Sequence, residues 1–356
     1  MKDGEGRSGW SYHPIELIVR PQGLASTLAR RLATNLSQFH QVALVRHGPS
    51  YLARPLEQSG GAARVDGVWA VVGANGQDCL YSHEGHFDLL QQRTLLVDVD
   101  IAVVEGVFDT RAHTILELEP DGGGIENLPS SVLENLVACV GPRQPRQIPS
   151  GGIPWFRPQD EDGLLDLCLD HLGRALRKRP LWGLLLVQGP AGRPQLASQA
   201  RILAKHCDRC FIHGPADPSW GAMGWESVEN AYPAMGLPGA ILSCQERGTD
   251  IALLILDESQ ESAQTDMVER LVERRDRFRT ATVFREMDTH LPSPFPGIWE
   301  PKSKIRIFQA RAAGLACPQR ILTHSRIQLL DITDSNSGGE PLAAEQPGII
   351  FPLPLG

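Results

Sequence analysis

Short apolar runs alternate with helical patterns along most of the chain, and this alternation restricts the fold more than any other feature. Between the runs, apolar residues recur three or four positions apart, as on one face of a helix. Strands that are apolar along their whole length are typical of parallel sheets covered by helices on both faces. The sequence therefore predicts an α/β fold with mainly parallel sheets. The predicted strands lie at 15–19, 41–47, 68–73, within 94–106, and at 113–119, 181–188, 208–214, 250–257, 280–286 and 327–332.

Helices are predicted between these strands, and the segment 160–179 is the clearest example. Its apolar residues recur with helical spacing, and acidic residues crowd its first turn while basic residues crowd its last. That distribution of charge matches the helix dipole. The other predicted helices lie at 24–39, 194–206, 264–278 and 301–314, with one more ending near 246 and a helix that runs into a strand within 131–141.

The alternation of strands and helices restarts at Pro180, which predicts two α/β domains, each with three layers. A chain of 356 residues is long enough to build two separate apolar cores. We expect a polar tail at 1–12, a first domain at 13–179, a second domain at 180–335 and a mobile tail at 336–356.

Composition excludes several classes of protein. The net charge of −8 gives no basic surface for nucleic acid or for an anionic membrane. No apolar run approaches the roughly 18–20 residues of a membrane-spanning helix, and the N-terminal residues lack the pattern of a secretion signal. Seven cysteines are an odd number, which favours the reducing cytoplasm over a disulfide framework. We therefore expect a cytoplasmic protein with no nucleic-acid or membrane partner.

Residues 19–27 form the first candidate phosphate site, because a strand passes through a short loop into a helix. A P-loop needs glycines whose N–H groups wrap the phosphates, a lysine for the terminal phosphates and a Ser or Thr for magnesium. Gly23 and Thr27 fit this pattern, whereas Ser26 occupies the lysine position. The alternative is an ordinary strand-to-helix turn, whose helix N-terminus still holds an anion weakly.

Two carboxylates end apolar strands, and α/β sheets bind ligands at the carboxyl ends of their strands. Glu105 ends the strand within 94–106, and Asp257 ends the strand at 250–257. Both are candidate magnesium ligands, and Asp257 lies where nucleotidyl transfer needs its metal. The alternatives are a solvated strand end for Glu105 and a helix N-cap for Asp257.

The second domain carries two loops bounded by glycines. One follows the strand that begins the domain and contains Gly189, Gly192 and the only basic residue of the loop, Arg193. Many phosphate-binding loops begin in this way. The other contains Gly236 and Gly239 before a predicted helix, where the absence of side chains lets a base or a sugar approach the backbone closely.

Two further patterns are similar to metal or redox sites. His83 and His86 are not spaced as in a zinc protease and have no obvious further ligands, so a surface loop is favoured. Cys207 and Cys210 form a single CxxC without the second pair of a zinc site, and Cys210 is expected to point into a core. Lys302 is interpreted as a solvated surface residue.

The first domain contains a series of short motifs in a fixed order along the chain. The strand, loop and helix at 15–36 are followed by VALVRH at 42–47 and by EQSGGAARV at 57–65. DIAVVEG, NLVACVG and IPWFRPQDEDGLLDLCLDHL continue the series. In these motifs, residues 13–178 resemble the P-loop GTP-binding adaptor protein of molybdopterin guanine dinucleotide synthesis. The resemblance implies a P-loop NTPase-like domain.

The second domain contains a comparable series. DRCFIHG, ENAYPAMGLPGAILS and ALLILD are followed by PSPFPGIWEPK and by the short segment DSNSGGE. In these motifs, residues 181–336 resemble the molybdenum cofactor guanylyltransferase family, which has a nucleotide-diphospho-sugar transferase-like fold. Each motif alone is loose, but the two resemblances together cover most of the chain in order.

The resemblance implies transfer of GMP from Mg·GTP to molybdopterin, or to its molybdenum form, with release of pyrophosphate. Magnesium and GTP are the implied cofactors, molybdopterin is the implied substrate, and molybdoenzymes or other cofactor-biosynthesis proteins are implied partners. Asp257 is then the catalytic metal ligand, and Glu105 is a metal ligand of the first domain. The implied nucleotide-binding residues are Gly189, Gly192, Arg193, Gly236, Gly239, Gly23 and Thr27.

Both domains depart from the family motifs in the loops that bind phosphate. The family loop LAGG-x-S-x-R-M-G-x-D-K supplies an arginine and a lysine, and the corresponding stretch is reduced here to GPAGRPQ. The family's Asp is Asn230, and its Gly-Pro-Leu has become Gly-Leu-Pro. Each lost donor of this kind removes about 3–4 kcal/mol of transition-state stabilisation, which weighs against catalysis.

Two main interpretations stay open. The first is a nucleotidyltransferase that uses Asp257, the backbone of Gly189 and Gly192, and Arg193 in place of the missing clamp. The second is a non-catalytic pseudoenzyme or chaperone that holds a pterin, a nucleotide or a partner enzyme. A different nucleotide or sugar-phosphate substrate is a third interpretation, since the fold alone does not determine the function.

Overall fold

The computed structural model describes residues 15–20, 27–46, 68–72, 78–82, 96–105, 113–125, 128–145, 152–187, 194–215, 219–222, 224–248, 250–258 and 265–332. Its contacts divide the chain into two compact units, Met1–Arg179 and Pro180–Gly356. The division falls immediately before Pro180, where the alternation in the sequence restarts. The predicted tails at 1–12 and 336–356 lie outside the described residues.

The described part of the first unit contains a sheet of eight strands in the order β4-β3-β2-β5-β1-β6-β7-β8. All neighbouring strands are parallel except at one end, where β3 is antiparallel to both β2 and β4. The strands are β1 (Ile15–Arg20), β2 (Val42–Arg46), β3 (Val68–Val72), β4 (Asp78–Ser82), β5 (Ile101–Glu105), β6 (His113–Glu117), β7 (Leu136–Val140) and β8 (Trp155–Phe156).

Three helices belong to the described part of this unit: α1 (Thr27–Leu36), α2 (Ser130–Leu133) and α3 (Glu161–Arg177). Helix α1 buries Leu28, Leu32 and Leu36, which recur every four residues and so form one apolar face. An ion pair of 2.6 Å between Arg31 and Glu161 joins α1 to the first turn of α3.

The described part of the second unit contains a sheet of seven strands in the order β11-β10-β9-β12-β14-β13-β15. Strand β14 is antiparallel to both of its neighbours, and all the other pairs are parallel. The strands are β9 (Leu181–Leu186), β10 (Arg209–His213), β11 (Glu226–Ser227), β12 (Ala252–Asp257), β13 (Ala281–Arg285), β14 (Pro292–Trp299) and β15 (Ile327–Leu330).

The described helices of the second unit follow the same alternation. A 3-10 turn, Pro233–Met235, precedes one of them. The helices are α4 (Pro194–His206), α5 (Ser219–Ala222), α6 (Leu237–Gln245), α7 (Thr265–Glu273), α8 (Ser303–Ala312) and α9 (Pro318–Thr323).

Strand β9 shows how the sheet of the second unit acquires two cores. Trp182, Leu184 and Leu186 pack in one cluster with residues of α6, α8 and α9. Leu185 and Val187 pack in a second cluster with residues of α4 and α7. Because successive side chains of a strand point to opposite faces, a continuous apolar strand supplies both clusters. The structure therefore confirms the predicted α/β class with helices on both faces of a mainly parallel sheet.

Strand β14 was not predicted, because it contains Pro292, Pro294 and Pro296. Proline cannot donate to a sheet ladder, so a run of prolines argues against a strand with neighbours on both sides. In the structure β14 nevertheless lies between β12 and β13. The short strand β4 was also missed.

Lys302 is fully buried, and its interpretation as a solvated surface residue is wrong. It lies two residues from Glu300, which forms a buried bidentate ion pair with Arg275 at 2.5 and 3.1 Å. Arg275 follows α7, which ends at Glu273 rather than at the predicted 278. The local pattern missed this arrangement because charges remain buried only with partners that come from distant parts of the chain.

His113 and His171 form a partly buried polar contact in the first unit. Nε2 of His171 lies 3.0 Å from Nδ1 of His113, so one ring donates a hydrogen to the other. Burial and the neighbouring His171 lower the pKa of His113 to about 4. Burial and the nearby Arg174 also lower the pKa of His171. The fold therefore favours neutral rings.

Acidification is expected to destabilise the first unit through this pair. The unfolded chain binds protons below about pH 6.5, whereas His113 resists protonation in the folded state down to a pKa of about 4. Stability is then complete above about pH 6.5 and falls progressively towards pH 4. Thermal scans at about pH 7.5 and pH 5 measure how far the melting temperature falls on acidification. This fall should be about 2–4 °C smaller in His171→Gln than in the unaltered protein, because the variant loses about 1 kcal/mol less stability. His290→Asn, at an exposed loop position, is the control. An equal acid loss in all three proteins would contradict the assignment.

Breaking the Arg275–Glu300 pair should destabilise the second unit severely. Glu300→Gln leaves the Arg275 guanidinium buried without its counter-charge, at a cost of about 3–5 kcal/mol. The matched control is Asp331→Asn, which breaks the exposed Arg285–Asp331 pair and should cost at most about 1 kcal/mol. Urea unfolding of the two variants measures the difference, and similar losses would show that burial does not set the strength of this pair.

Candidate functional site

The carboxyl ends of β9 and β12 meet at one edge of the second sheet. In their parallel register Asp257, the last residue of β12, lies beside Leu186, the last residue of β9. Asp257 is buried, and so is Glu258 directly after it. A hydrogen bond of 2.9 Å from the Glu258 N–H to the Leu186 carbonyl continues the pairing past the strand end. The predicted position of Asp257 at a strand end is therefore observed.

Gln199 of α4 contacts this strand end from the side. Its Nε2 donates to the backbone carbonyl oxygen of Asp257 at 3.1 Å, and both residues are buried. Sequence reasoning missed Gln199. The available signal was its spacing, since it lies between the buried residues Leu196 and Leu203 at helical positions i, i+3 and i+7.

The loop between β9 and α4 contains Gly189, Gly192 and Arg193, and residues 188–193 lie outside the described part of the chain. The described residues on each side still locate its two ends. Val187 follows β9, and Pro194 begins α4. The loop therefore leaves the sheet beside Asp257 and returns at the N-terminus of the helix that carries Gln199. The roles of its three residues stay predictions.

Asn230 holds the turn that precedes α6. Its Nδ2 donates to the Gly236 carbonyl oxygen at 2.9 Å, and its Oδ1 accepts from the Tyr232 N–H at 2.8 Å. Gly236 has a φ of 60°, a conformation that residues with a Cβ rarely adopt. Both polar groups of the Asn230 amide are thus engaged with the chain's own backbone.

Gly239, in the first turn of α6, is needed for packing against the turn that precedes the helix. A Cβ at this position would lie 2.4 Å from the carbonyl oxygen of Tyr232 and 2.6 Å from Oδ1 of Asn230. The Ser243 hydroxyl strengthens the same contact, since it donates to the Gly239 carbonyl at 2.7 Å and accepts from the Ala231 N–H at 2.9 Å. The protein's own packing therefore requires a residue without a side chain at this position, and the role of Gly239 in nucleotide binding stays a prediction.

In the first unit, Glu105 ends β5 and is fully buried between β1 and β2. The alternative of a solvated strand end is therefore wrong for this residue. Thr27 is the first residue of α1 and is exposed. Gly23 and Ser26 lie outside the described residues, so the candidate phosphate loop of this unit stays a prediction.

The candidate metal or redox residues of the sequence have different outcomes. His83 and His86 lie outside the described residues. Cys207 and Cys210 are free thiols that pack against the core formed with α4. Burial raises the pKa of Cys207 strongly and raises the pKa of Cys210 to about 11, which keeps both protonated and poorly reactive at neutral pH.

A magnesium ion fits Asp257 by the chemistry of its donors. Among the described residues, no group of three or more His, Cys, Asp or Glu side chains could hold a metal ion. Magnesium does not require such a group, because it commonly binds through one or two carboxylates and completes its shell with water and substrate phosphates. Asp257 supplies one such carboxylate, and its role as a magnesium ligand stays a prediction. No helix in the described parts of the chain is long and apolar enough to cross a membrane.

Comparison with known proteins gives a relationship over part of the chain. No protein-family model matches the sequence. The molybdenum cofactor biosynthesis bifunctional protein of Synechocystis sp. is 25% identical over 181 residues, which cover 44% of this chain and 52% of that protein. The chain thus spans about half the length of the curated relative that it matches.

Two solved structures are similar to a smaller part of the chain. Molybdopterin-guanine dinucleotide biosynthesis protein A from Archaeoglobus fulgidus has a TM-score of 0.34 and 9% identity, over 42% of this chain and 83% of that chain. CMP:2-keto-3-deoxy-manno-octonic acid synthetase complexed with CTP has a TM-score of 0.31 and 10% identity, over 43% of this chain and 90% of that chain.

The packing role of Gly239 can be tested directly. Gly239→Ala should destabilise the second unit by about 1–3 kcal/mol, because the new methyl group overlaps the Tyr232 carbonyl. Gly221→Ala in α5 is the matched control, since its Cβ meets nothing within 4 Å and alanine favours helices by about 1 kcal/mol. Denaturant unfolding measures both variants. Equal stabilities would show that the turn relaxes without cost.

Proposed function

We propose that the chain is a nucleotidyltransferase-type protein of molybdenum cofactor biosynthesis, and that its second unit binds a magnesium nucleotide at the carboxyl ends of β9 and β12. The observation that carries this proposal is the buried Asp257, which ends β12 beside the strand that enters the Gly-Pro-Ala-Gly loop. The partial similarity to the Synechocystis protein supports the pathway, and the order of motifs in the sequence supports the reaction type.

Each part of the proposed site has one task. Asp257 supplies the carboxylate that holds the metal against the nucleotide phosphates. Gly189 and Gly192, in the loop that precedes α4, would supply backbone N–H groups to the phosphates. Arg193 is the only cation of the loop, so it supplies the only charged side chain for the phosphates there. Magnesium, when bound, neutralises phosphate charge and orients the phosphates for attack.

The proposed reaction is the transfer of GMP from GTP to molybdopterin or its molybdenum form. An oxygen of the terminal phosphate of the pterin attacks the α-phosphorus of GTP, a new phosphorus–oxygen bond forms, and pyrophosphate leaves. The nucleophile belongs to the substrate, so the protein mainly positions the reactants and neutralises their charge.

A non-catalytic binding protein is the second candidate, and two observations favour it. The loop after β9 carries one cation, Arg193, where the family motif carries an arginine and a lysine. Asn230, at the position of the family's aspartate, uses both polar groups of its amide in hydrogen bonds within the turn before α6. Each missing charged contact removes about 3–4 kcal/mol from the transition state, whereas binding of the nucleotide needs fewer such contacts. Such a protein would hold a nucleotide or a pterin for a partner enzyme.

The first unit is proposed to be a P-loop adaptor-like domain in which Glu105, Gly23 and Thr27 line a second nucleotide site. The helix N-terminus at α1 suits a weakly bound anion, and Ser26 replaces the lysine that would bind the terminal phosphates. Molybdoenzymes or other cofactor-biosynthesis proteins are the proposed partners, and the cytoplasm is the proposed location.

Binding and transfer can be separated in one set of measurements on the full chain. The unaltered protein should bind Mg·GTP in calorimetry, and Asp257→Asn should weaken binding by at least about tenfold, since one carboxylate ligand is lost. Asp288→Asn, an exposed acid of the same unit, is the control and should bind like the unaltered protein. Labelled GTP with molybdopterin then reports transfer.

The outcomes distinguish the candidates. Transfer by the unaltered protein that is lost in Asp257→Asn establishes the enzyme. Binding that depends on Asp257, without transfer, establishes the non-catalytic protein. No binding of Mg·GTP at millimolar concentration, or equal binding by Asp257→Asn, contradicts the proposed site.

A further inference from the structure

Gln199 occupies an unusual place for a long polar side chain. It is 4% exposed and lies on the buried face of α4, between Leu196 and Leu203. Burial of an amide is costly unless its hydrogen-bonding groups find partners. The hydrogen bond from its Nε2 to the Asp257 carbonyl therefore explains why a glutamine, rather than an apolar residue, is compatible with this face.

The hydrogen bond is accepted by the backbone of Asp257, the proposed metal ligand. The carbonyl oxygen of Asp257 belongs to the peptide unit that joins Asp257 to Glu258. The N–H of the same peptide unit donates to the Leu186 carbonyl at 2.9 Å. Both polar groups of one peptide unit are thus held, one by β9 and the other by α4. Fixing this peptide plane restricts rotation about the Cα–C bond of Asp257 and so holds the backbone from which its side chain extends.

The same contact joins the two sides of the candidate site. Helix α4 begins at Pro194, directly after the loop that contains Gly189, Gly192 and Arg193. Gln199 lies in the second turn of that helix. Its hydrogen bond therefore holds α4 against the end of β12, the strand whose last residue is Asp257.

We infer that Gln199 is a positioning residue for the proposed metal site: it holds the backbone of Asp257, from which the carboxylate proposed to bind Mg²⁺ extends. This inference rests on the proposed function of Asp257. Residues that orient metal ligands without touching the metal typically contribute a factor of about 10–100 to metal affinity.

The test uses the full chain, with Mn²⁺ as the probe in place of Mg²⁺. Electron paramagnetic resonance measures the affinity for Mn²⁺ alone and for Mn²⁺ with GTP. Gln199→Met keeps the length of the side chain and removes its donor, so it should weaken Mn²⁺ binding by about tenfold or more. Gln199→Glu is a second variant that remains polar and lacks the donor when ionised, and it serves if the methionine variant folds poorly.

Gln245→Met is the matched control. Gln245 is also a buried glutamine of the second unit, and its Nε2 donates to the backbone carbonyl of Glu300 at 3.3 Å. Glu300 follows Trp299, which pairs with Leu253 near the start of β12, so this contact lies at the opposite edge of the sheet. The control should lose comparable stability while keeping the Mn²⁺ affinity of the unaltered protein.

Hydrogen exchange gives a readout that needs no ligand. The amides of the peptide that spans the end of β12 should exchange faster in both Gln199 variants, and at the normal rate in Gln245→Met. If Gln199 had only a structural role, exchange would be faster throughout the second unit in proportion to the stability lost. The same would then be seen in Gln245→Met.

The outcomes separate this inference from the function on which it rests. Unchanged Mn²⁺ affinity in both Gln199 variants, with normal binding by the unaltered protein and weak binding by Asp257→Asn, overturns the positioning role alone. Equal weakening in the Gln199 and Gln245 variants also overturns it, because general destabilisation then explains the loss. Absence of Mn²⁺ binding by the unaltered protein overturns the proposed function and, with it, the positioning role.

Discussion

The parallel pairing of β9 with β12 determines both the core and the candidate site of the second unit. Six residue pairs, from Leu181 with Ala252 to Leu186 with Asp257, keep the two strands in register. Their alternating side chains supply the apolar clusters on the two faces of the sheet. Because both strands end at the same level, Leu186 at the end of β9 lies beside Asp257, the carboxylate that ends β12. A shift of one residue would send every side chain to the wrong face.

Much of this architecture was predictable from local pattern. The helix at 194–206 and the strand ends at Glu105 and Asp257 follow from apolar spacing alone, and the structure places them as predicted. Strand β14 did not follow, because its prolines contradict the local rule for a strand with two neighbours. Lys302 and the Arg275–Glu300 pair did not follow either. A buried charge depends on its partner, and Arg275 lies 25 residues from Glu300 in sequence.

The candidate site was predictable in position but not in detail. Its edge of the sheet follows from the strand ends, whereas the role of Gln199 becomes visible only when α4 lies against β12. Gly239 shows the opposite effect. The sequence indicated only that a ligand could approach the backbone at Gly239, whereas the structure shows that a Cβ there would overlap Tyr232 and Asn230. A glycine in the sequence indicates backbone that can be approached closely, but it does not show whether a ligand or another part of the protein makes that contact.

The central claim is that one buried carboxylate, Asp257, holds a divalent metal for a nucleotide at the carboxyl ends of β9 and β12. Anomalous scattering from crystals of the full chain grown with Mn²⁺ and GTP tests this claim most directly. The account predicts a manganese peak at coordination distance, about 2.0–2.2 Å, from a carboxylate oxygen of Asp257, with nucleotide phosphate density beside the loop after β9. A bound nucleotide whose metal lies away from Asp257, or manganese only at other surfaces of the molecule, would contradict it.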